Sequence, residues 1–128
     1  MKKEKHIVLY GYSKEDVSKI KIFLESKLDI HLSIISASQK ENTIIAEIIE
    51  SNESNFFEDN SNKVLMFLDF LDEEIRLLLH NFSDINITKP LFCVLTEHNI
   101  NWTLKQLIDD LIEERKYWEE KKKNEKRD

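Results

Sequence analysis

The fold is decided by residues 7–28, which read IVLYGYSKEDVSKIKIFLESKL. The first four residues form a continuous apolar run that ends at Gly11, and such runs are typical of a strand buried on both faces. Ser13 then offers a helix N-cap with an acidic residue three positions later, which is close to a capping box. From Val17 to Leu28 the apolar positions recur at three- and four-residue steps, which predicts one buried helix face.

The same alternation of strand and helix continues along the chain. Apolar runs and periodic segments predict strands over 32–37, 64–68 and 91–95, and helices that begin at Asp72 and near Leu104. Residues 44–49 are predicted as a short helix, although their isoleucines would also suit a strand because β-branched side chains pack well on a pleated surface.

We therefore predict an α/β fold with a four-stranded, mostly parallel sheet and helices packed on it, because strand–helix–strand units pair in parallel. One domain spans residues 1–128, with two similar strand–helix–strand–helix halves at about 5–50 and 63–118. A polar linker is predicted over 51–62, and a charged tail over 119–128 that frays into solvent. The order of the strands, and the direction of one half relative to the other, stay open.

The two halves align when one is shifted by 58 positions. Glu15 then meets Glu73, Val17 meets Ile75, Ile20 meets Leu78, Leu24 meets Phe82, Ile34 meets Phe92 and Ala37 meets Leu95. Internal duplication explains these matches, but chance explains them equally well, because any two strand–helix–strand units share this periodicity.

Composition excludes several classes of function. The 128 residues carry a formal net charge of −6, which argues against nucleic acid and against an anionic membrane surface. The only cysteine, Cys93, lies in a predicted buried strand and gives no sign of an oxidising compartment, so we expect a cytoplasmic protein with an inert thiol. A single glycine rules out a glycine-rich phosphate loop, and we expect no cofactor, no metal and no catalytic signature.

Candidate contact residues follow the ends of the strands, because ligands of open α/β sheets bind beyond the carboxyl ends. They are Gly11 and Ser13 after the first strand, Asp69 after the third, and Thr96, Glu97, His98, Asn99, Asn101 and Trp102 after the fourth.

Each of these candidates also has a structural interpretation. Glu97 and His98 resemble an acid–base or metal-binding pair, but no further ligand lies at metal-site spacing, so we favour a surface turn. The asparagines more often cap helices or turns than bind ligands. Trp102 suits a ligand or partner as well as it suits the core, and Gly11 suits a tight turn better than a phosphate contact.

Part of the second half resembles a known family. The segments that carry the resemblance are FLDEEIRLLL at 70–79, PLFCVLTEHNINWTL at 90–104 and QLIDDLIEERKYW at 106–118. From Val64 to about Tyr117 the chain is similar to the small bacterial and archaeal family known as domain of unknown function 3783. The resemblance implies no activity, since the family has none assigned, but it implies that the loop from Thr96 to Trp102 is a family feature.

We predict a non-enzymatic binding or regulatory module that acts through protein–protein contact or self-association. On the last helix Leu104, Leu111 and Trp118 recur at seven-residue steps, and this stripe either covers the sheet or contacts a protein partner or a second copy. The alternative is a small enzyme or ligand-binding protein with a polar crevice formed by Ser13, Asp69, Thr96, Glu97 and His98. A weaker alternative is a protein that acts through its acidic surface.

Overall fold

A computed structural model describes residues 2–51 and 55–126. The elements in chain order are β1 (Lys3–Tyr10), α1 (Lys14–Leu28), β2 (Ile30–Ser36), α2 (Ile45–Ser51), β3 (Val64–Leu68), α3 (Asp72–Asn81), β4 (Leu91–Val94) and α4 (Leu104–Lys126). Short 3₁₀ turns span Phe82–Ile85 and Asn99–Asn101. The predicted strands and helices are therefore confirmed, including the helical interpretation of the isoleucine-rich segment.

The four strands form one open sheet in the order β2-β1-β3-β4. The pairs β1–β2 and β3–β4 are parallel, as expected for strands joined by α1 and α3. The central pair β1–β3 is antiparallel, so the prediction of a mostly parallel sheet was wrong and the sheet is mixed. The connection from β2 to β3 contains both α2 and the linker. This connection allows β3 to run either parallel or antiparallel to β1.

The two parallel pairs have the same register. In each pair the partner lies 27 positions further along the chain: Ile7 faces Ile34, and Leu65 faces Phe92. At the centre of the sheet Val8 faces Met66 across the antiparallel pair. These two central residues are 58 positions apart, which is the shift that aligns the two halves of the sequence.

Both faces of the sheet are covered, so the molecule has three layers. On one face the buried strand residues pack against α1 and α3, with Ile20, Leu24 and Leu78 among the contacts. On the other face they pack against α2 and α4, with Ile48 and Leu107 among the contacts. This double burial is why the strands read as continuous apolar runs and not as alternating ones.

The last helix is longer than the sequence pattern indicated. α4 continues to Lys126, so residues 119–126 of the predicted fraying tail are helical, and residues 127–128 lie outside the described part. Residues 113–124 are exposed along the helix. We call residues 113–126 the α4 extension. Within residues 2–51 and 55–126, no helix is both long enough and apolar enough to cross a bilayer.

Candidate functional site

The antiparallel central pair separates the predicted site residues into two groups. Tyr10 at the end of β1 faces Val64 at the start of β3, so Gly11 and Ser13 emerge at the opposite end of the sheet from Asp69. The loop after β4 begins at the same end as Asp69, because β3 and β4 are parallel. Ser13 therefore does not share a crevice with the other four residues of the predicted polar site.

Gly11 allows its own chain to approach closely. Its φ of 91° is left-handed, and a β-carbon here would lie 2.2 Å from the carbonyl oxygen of Asn62. The Gly11 carbonyl accepts hydrogen bonds from the Asn60 amide at 2.9 Å and from Lys63 Nζ at 2.6 Å. The nearest neighbour of this glycine is thus the end of the linker, in agreement with the turn interpretation. Next to it Ser13 caps α1 by accepting the Asp16 amide at 3.4 Å.

The linker residues 55–60 close the carboxyl ends of β1 and β2. Ser36 and Ser38 are both buried; Ser36 donates to the Phe56 carbonyl, and Ser38 Oγ accepts the Glu58 amide at 3.0 Å. Residues 52–54 of the predicted linker lie outside the described residues. In an open α/β sheet this end is the usual ligand crevice, and here it is filled by the chain itself.

A tyrosine completes that closed end. Tyr10 donates its hydroxyl to Glu41 Oε2 at 2.7 Å and accepts Asn60 Nδ2 at 3.0 Å. Burial, followed by the hydrogen bond to the Glu41 carboxylate, raises the pKa of Tyr10 to about 12. The phenol therefore stays protonated at neutral pH, where it ties the loop after β2 to the linker.

The loop after β4 is held together by Asn99. This side chain is only 7% exposed; its Oδ1 accepts the Thr96 amide at 2.9 Å and its Nδ2 donates to the Val94 carbonyl at 2.9 Å. Thr96 Oγ1 in turn accepts the Asn99 amide at 3.0 Å, so the two residues cap each other. Both polar groups of Asn99 are thus used by the backbone, in agreement with the capping interpretation.

The remaining residues of the loop point in different directions. Glu97, His98 and Asn101 are exposed, whereas Trp102 is half-buried and packs against the core on the α2 and α4 side. The Trp102 carbonyl accepts the Ile45 amide at 2.9 Å, and Thr103 with Gln106 forms a capping box at the start of α4. Within the described ranges, no group of three or more His, Cys, Asp or Glu side chains is arranged to hold a metal ion.

Asp69 and Cys93 have structural surroundings. Asp69 is exposed and left-handed, with a φ of 60°, and its backbone carbonyl accepts Lys5 Nζ at 2.7 Å. Cys93 is half-buried on β4, where burial, followed by the nearby charge of Glu114, raises its pKa to about 12. At neutral pH this thiol is protonated, which makes it a poor nucleophile.

Two adjacent aromatic side chains are exposed on the second half of the chain. In the α4 extension, Tyr117 and Trp118 are 60% and 53% exposed, with their ring centroids 5.5 Å apart. Trp118, Leu111 and Arg115 line a shallow groove of about 180 Å³ against Leu91 and Phe92 of β4. The seven-residue spacing pointed to Trp118, whereas Tyr117 and the edge of β4 gave no recognisable sequence signal.

The edge of β4 is open beside this groove. The amides of Leu91 and Leu95 donate to the carbonyls of Lys63 and Phe67 of the neighbouring segment. Because parallel strands alternate, the backbone groups of Phe92 and Val94 face away from the sheet. Val94 is 43% exposed at this edge. At the opposite edge the amide of Leu32 is covered by the Glu25 carboxylate at 3.0 Å.

The exposed aromatic pair and the edge of β4 lie within the segment that matches a known family. Residues 63–118 match the family described as Domain of unknown function (DUF3783). The predicted resemblance is therefore confirmed over β3, α3, β4 and the first two thirds of α4. No curated protein and no solved structure matches the chain. The loop held by Asn99 and the exposed aromatic pair both belong to the DUF3783 segment.

Proposed function

We propose that this protein is a non-enzymatic binding module that acts through protein–protein contact at the α4 extension. The observation that carries the proposal is the adjacent pair Tyr117 and Trp118, both more than half exposed, on a helix that continues past its own core. Tryptophan and tyrosine are enriched among residues that dominate binding energies at protein interfaces. Large aromatic side chains at such exposure gain most when a partner buries them.

Several polar residues at the ends of the strands support the same proposal, because they bond within their own chain. Asn99, Ser36, Ser38 and Ser13 accept or donate hydrogen bonds within their own chain, and Gly11 makes room for the linker. Among the described residues, no buried side-chain nitrogen or oxygen lacks a hydrogen-bond partner. Active sites commonly hold polar groups whose hydrogen bonds are completed by a ligand. The hydrogen bonds of these residues are completed within the chain.

We further infer that the two halves form a pseudo-two-fold pair about the contact between Val8 and Met66. The left-handed residues Gly11 and Asp69 are 58 positions apart, as are Lys5 and Lys63. Lys5 Nζ donates to the Asp69 carbonyl, and Lys63 Nζ donates to the Gly11 carbonyl. Each lysine thus bonds the turn of the opposite half.

The aromatic residues after those turns follow the same relation. Lys5 Nζ lies 5.3 Å from the ring centroid of Phe70, and Lys63 Nζ lies 5.1 Å from that of Tyr12. The segments before α2 and α4 also meet each other, in an antiparallel bridge between Ile44 and Thr103. A duplicated unit that pairs with its own copy accounts for all of these reciprocal contacts, whereas chance similarity accounts for the periodicity alone.

A photo-crosslinking experiment in cells tests the binding proposal. Benzoylphenylalanine is placed at Trp118, and at Lys21, an exposed position on α1, as the matched control. We expect a protein adduct at position 118 and none at position 21. Absence of an adduct at position 118, or equal adducts at both positions, would contradict protein contact at the α4 extension.

A further inference from the structure

We infer that the partner of the α4 extension is a second copy of this chain, whose α4 pairs antiparallel with the first across Tyr117 and Trp118. The inference rests on the proposed function and specifies its partner. The charges along α4 lie beside unlike charges of a second α4 only when the second helix runs in the opposite direction.

Over residues 113–122, the charges at equal distances before and after the aromatic pair have opposite signs: Glu113 and Glu114 correspond to Lys122 and Lys121, and Arg115 and Lys116 correspond to Glu120 and Glu119. Four exposed carboxylates precede the pair, at Asp109, Asp110, Glu113 and Glu114. Three exposed lysines follow it, at Lys121, Lys122 and Lys123. Between them Arg115 pairs with Glu119 of its own helix, Nε to Oε1 at 3.3 Å.

These two groups are too far apart to neutralise each other within one helix. Glu114 and Lys121 are seven residues apart, which is about 10.5 Å along a helix at 1.5 Å per residue. The Debye length at physiological salt is about 8 Å, so exposed charges at this separation are largely screened. A second helix that runs in the opposite direction brings unlike charges side by side.

One antiparallel register satisfies the aromatic pair and the charges together. When Tyr117 faces Trp118 of the second copy, Glu114 faces Lys121. Two-fold symmetry repeats each of these contacts, as expected for an isologous dimer. Glu114, Tyr117 and Lys121 recur at three- and four-residue steps and so share one side of the helix.

Sedimentation equilibrium on the full chain tests the inference. We expect the average mass of the 15.3 kDa chain to rise toward that of a dimer between roughly 10 µM and 1 mM, as is usual for small interfaces, and to rise less at high salt. The variants Glu113→Lys/Glu114→Lys and Lys121→Glu/Lys122→Glu should each weaken association at least about tenfold, because like charges then face each other. Circular dichroism checks that both variants keep their helix content.

The variant that carries all four substitutions separates the possible outcomes. An antiparallel pair regains attraction in this variant, so we expect association close to that of the original chain. If the original chain associates but the variant with four substitutions does not regain association, the antiparallel register is overturned, whereas the proposal of protein contact stands. If the original chain stays monomeric at 1 mM, the second copy is excluded. An adduct at position 118 with a different polypeptide would then preserve the proposed function, and absence of any adduct would overturn both.

Discussion

The two halves of the molecule share a backbone plan but differ in what surrounds it. In the first half, the linker closes the carboxyl ends of β1 and β2, and the described part of α2 covers seven residues, Ile45–Ser51. In the second half, α4 runs for 23 residues and leaves two aromatic side chains exposed. The strand–helix–strand unit of each half thus forms the scaffold, while the proposed contact surface lies where the second half departs from the first.

The largest expected effect is a loss of stability, and it should differ between the two ends of α4. Leu107 is 2% exposed in the core, so Leu107→Ala should lower the free energy of unfolding by about 3 to 4 kcal/mol through lost burial and a cavity. Trp118→Ala should change it by less than about 0.5 kcal/mol in the monomer. Urea unfolding at low protein concentration measures both variants. Similar losses for the two would mean that the α4 extension belongs to the core.

The next largest effect is the difference in stability between variants of the two left-handed turns, at Gly11 and Asp69. Gly11→Ala places a β-carbon 2.2 Å from the Asn62 carbonyl oxygen and should cost about 2 to 3 kcal/mol. Asp69 already has a β-carbon in the equivalent conformation, so Asp69→Ala should cost at most about 1 kcal/mol. Chemical denaturation of the two variants gives the comparison. Equal costs would contradict the close approach of the linker to Gly11.

A smaller effect tests the closed end of the first half. Tyr10→Phe removes the hydrogen bonds to Glu41 and from Asn60 and should cost about 1 kcal/mol at neutral pH.

The pH dependence of that variant follows from the pKa of Tyr10, which rises from 10.0 to about 12 on folding. The folded protein holds this proton more tightly than the unfolded chain, so its stabilising contribution is complete below pH 10 and is lost as the pH rises toward 12. The Tyr10→Phe variant should therefore lose less of its free energy of unfolding between pH 10 and pH 12 than the original chain does. Identical pH profiles for the two proteins would refute the assignment.

The smallest effect concerns Cys93 on the edge strand of the second half. Because burial raises its pKa to about 12, the thiol should react with a disulfide reagent at pH 8 far more slowly in the folded protein than in urea. Absorbance of the released thiolate follows the reaction. Equally fast labelling in both states would indicate that β4 detaches readily from β3.

The sequence was sufficient for the elements but not for their arrangement. Apolar runs such as Val64–Leu68 locate the strands because both faces of the sheet are covered. The antiparallel contact of Val8 with Met66 was not predictable, since it depends on the path of a polar linker without periodicity.

The candidate site shows the same limit. Local rules correctly gave the cap at Ser13, because this bond joins residues three positions apart. The contact of Gly11 with Asn62 joins distant parts of the chain and has no local signal. Tyr117 was missed because its exposure depends on where the sheet ends, which no spacing within α4 reveals.

The most direct test of a paired α4 is a distance between two copies of the chain. Nitroxide labels are attached to Glu120→Cys or to Asn124→Cys, two positions one turn apart on the same side of α4, each in a chain with Cys93→Ser. In the antiparallel register, labels at position 120 are separated by about 8 Å along the helix and labels at position 124 by about 20 Å, from 1.5 Å per residue on either side of the centre. Electron paramagnetic resonance should find a shorter distance at 120 than at 124; equal distances, or no coupling at either position, would contradict an antiparallel pair.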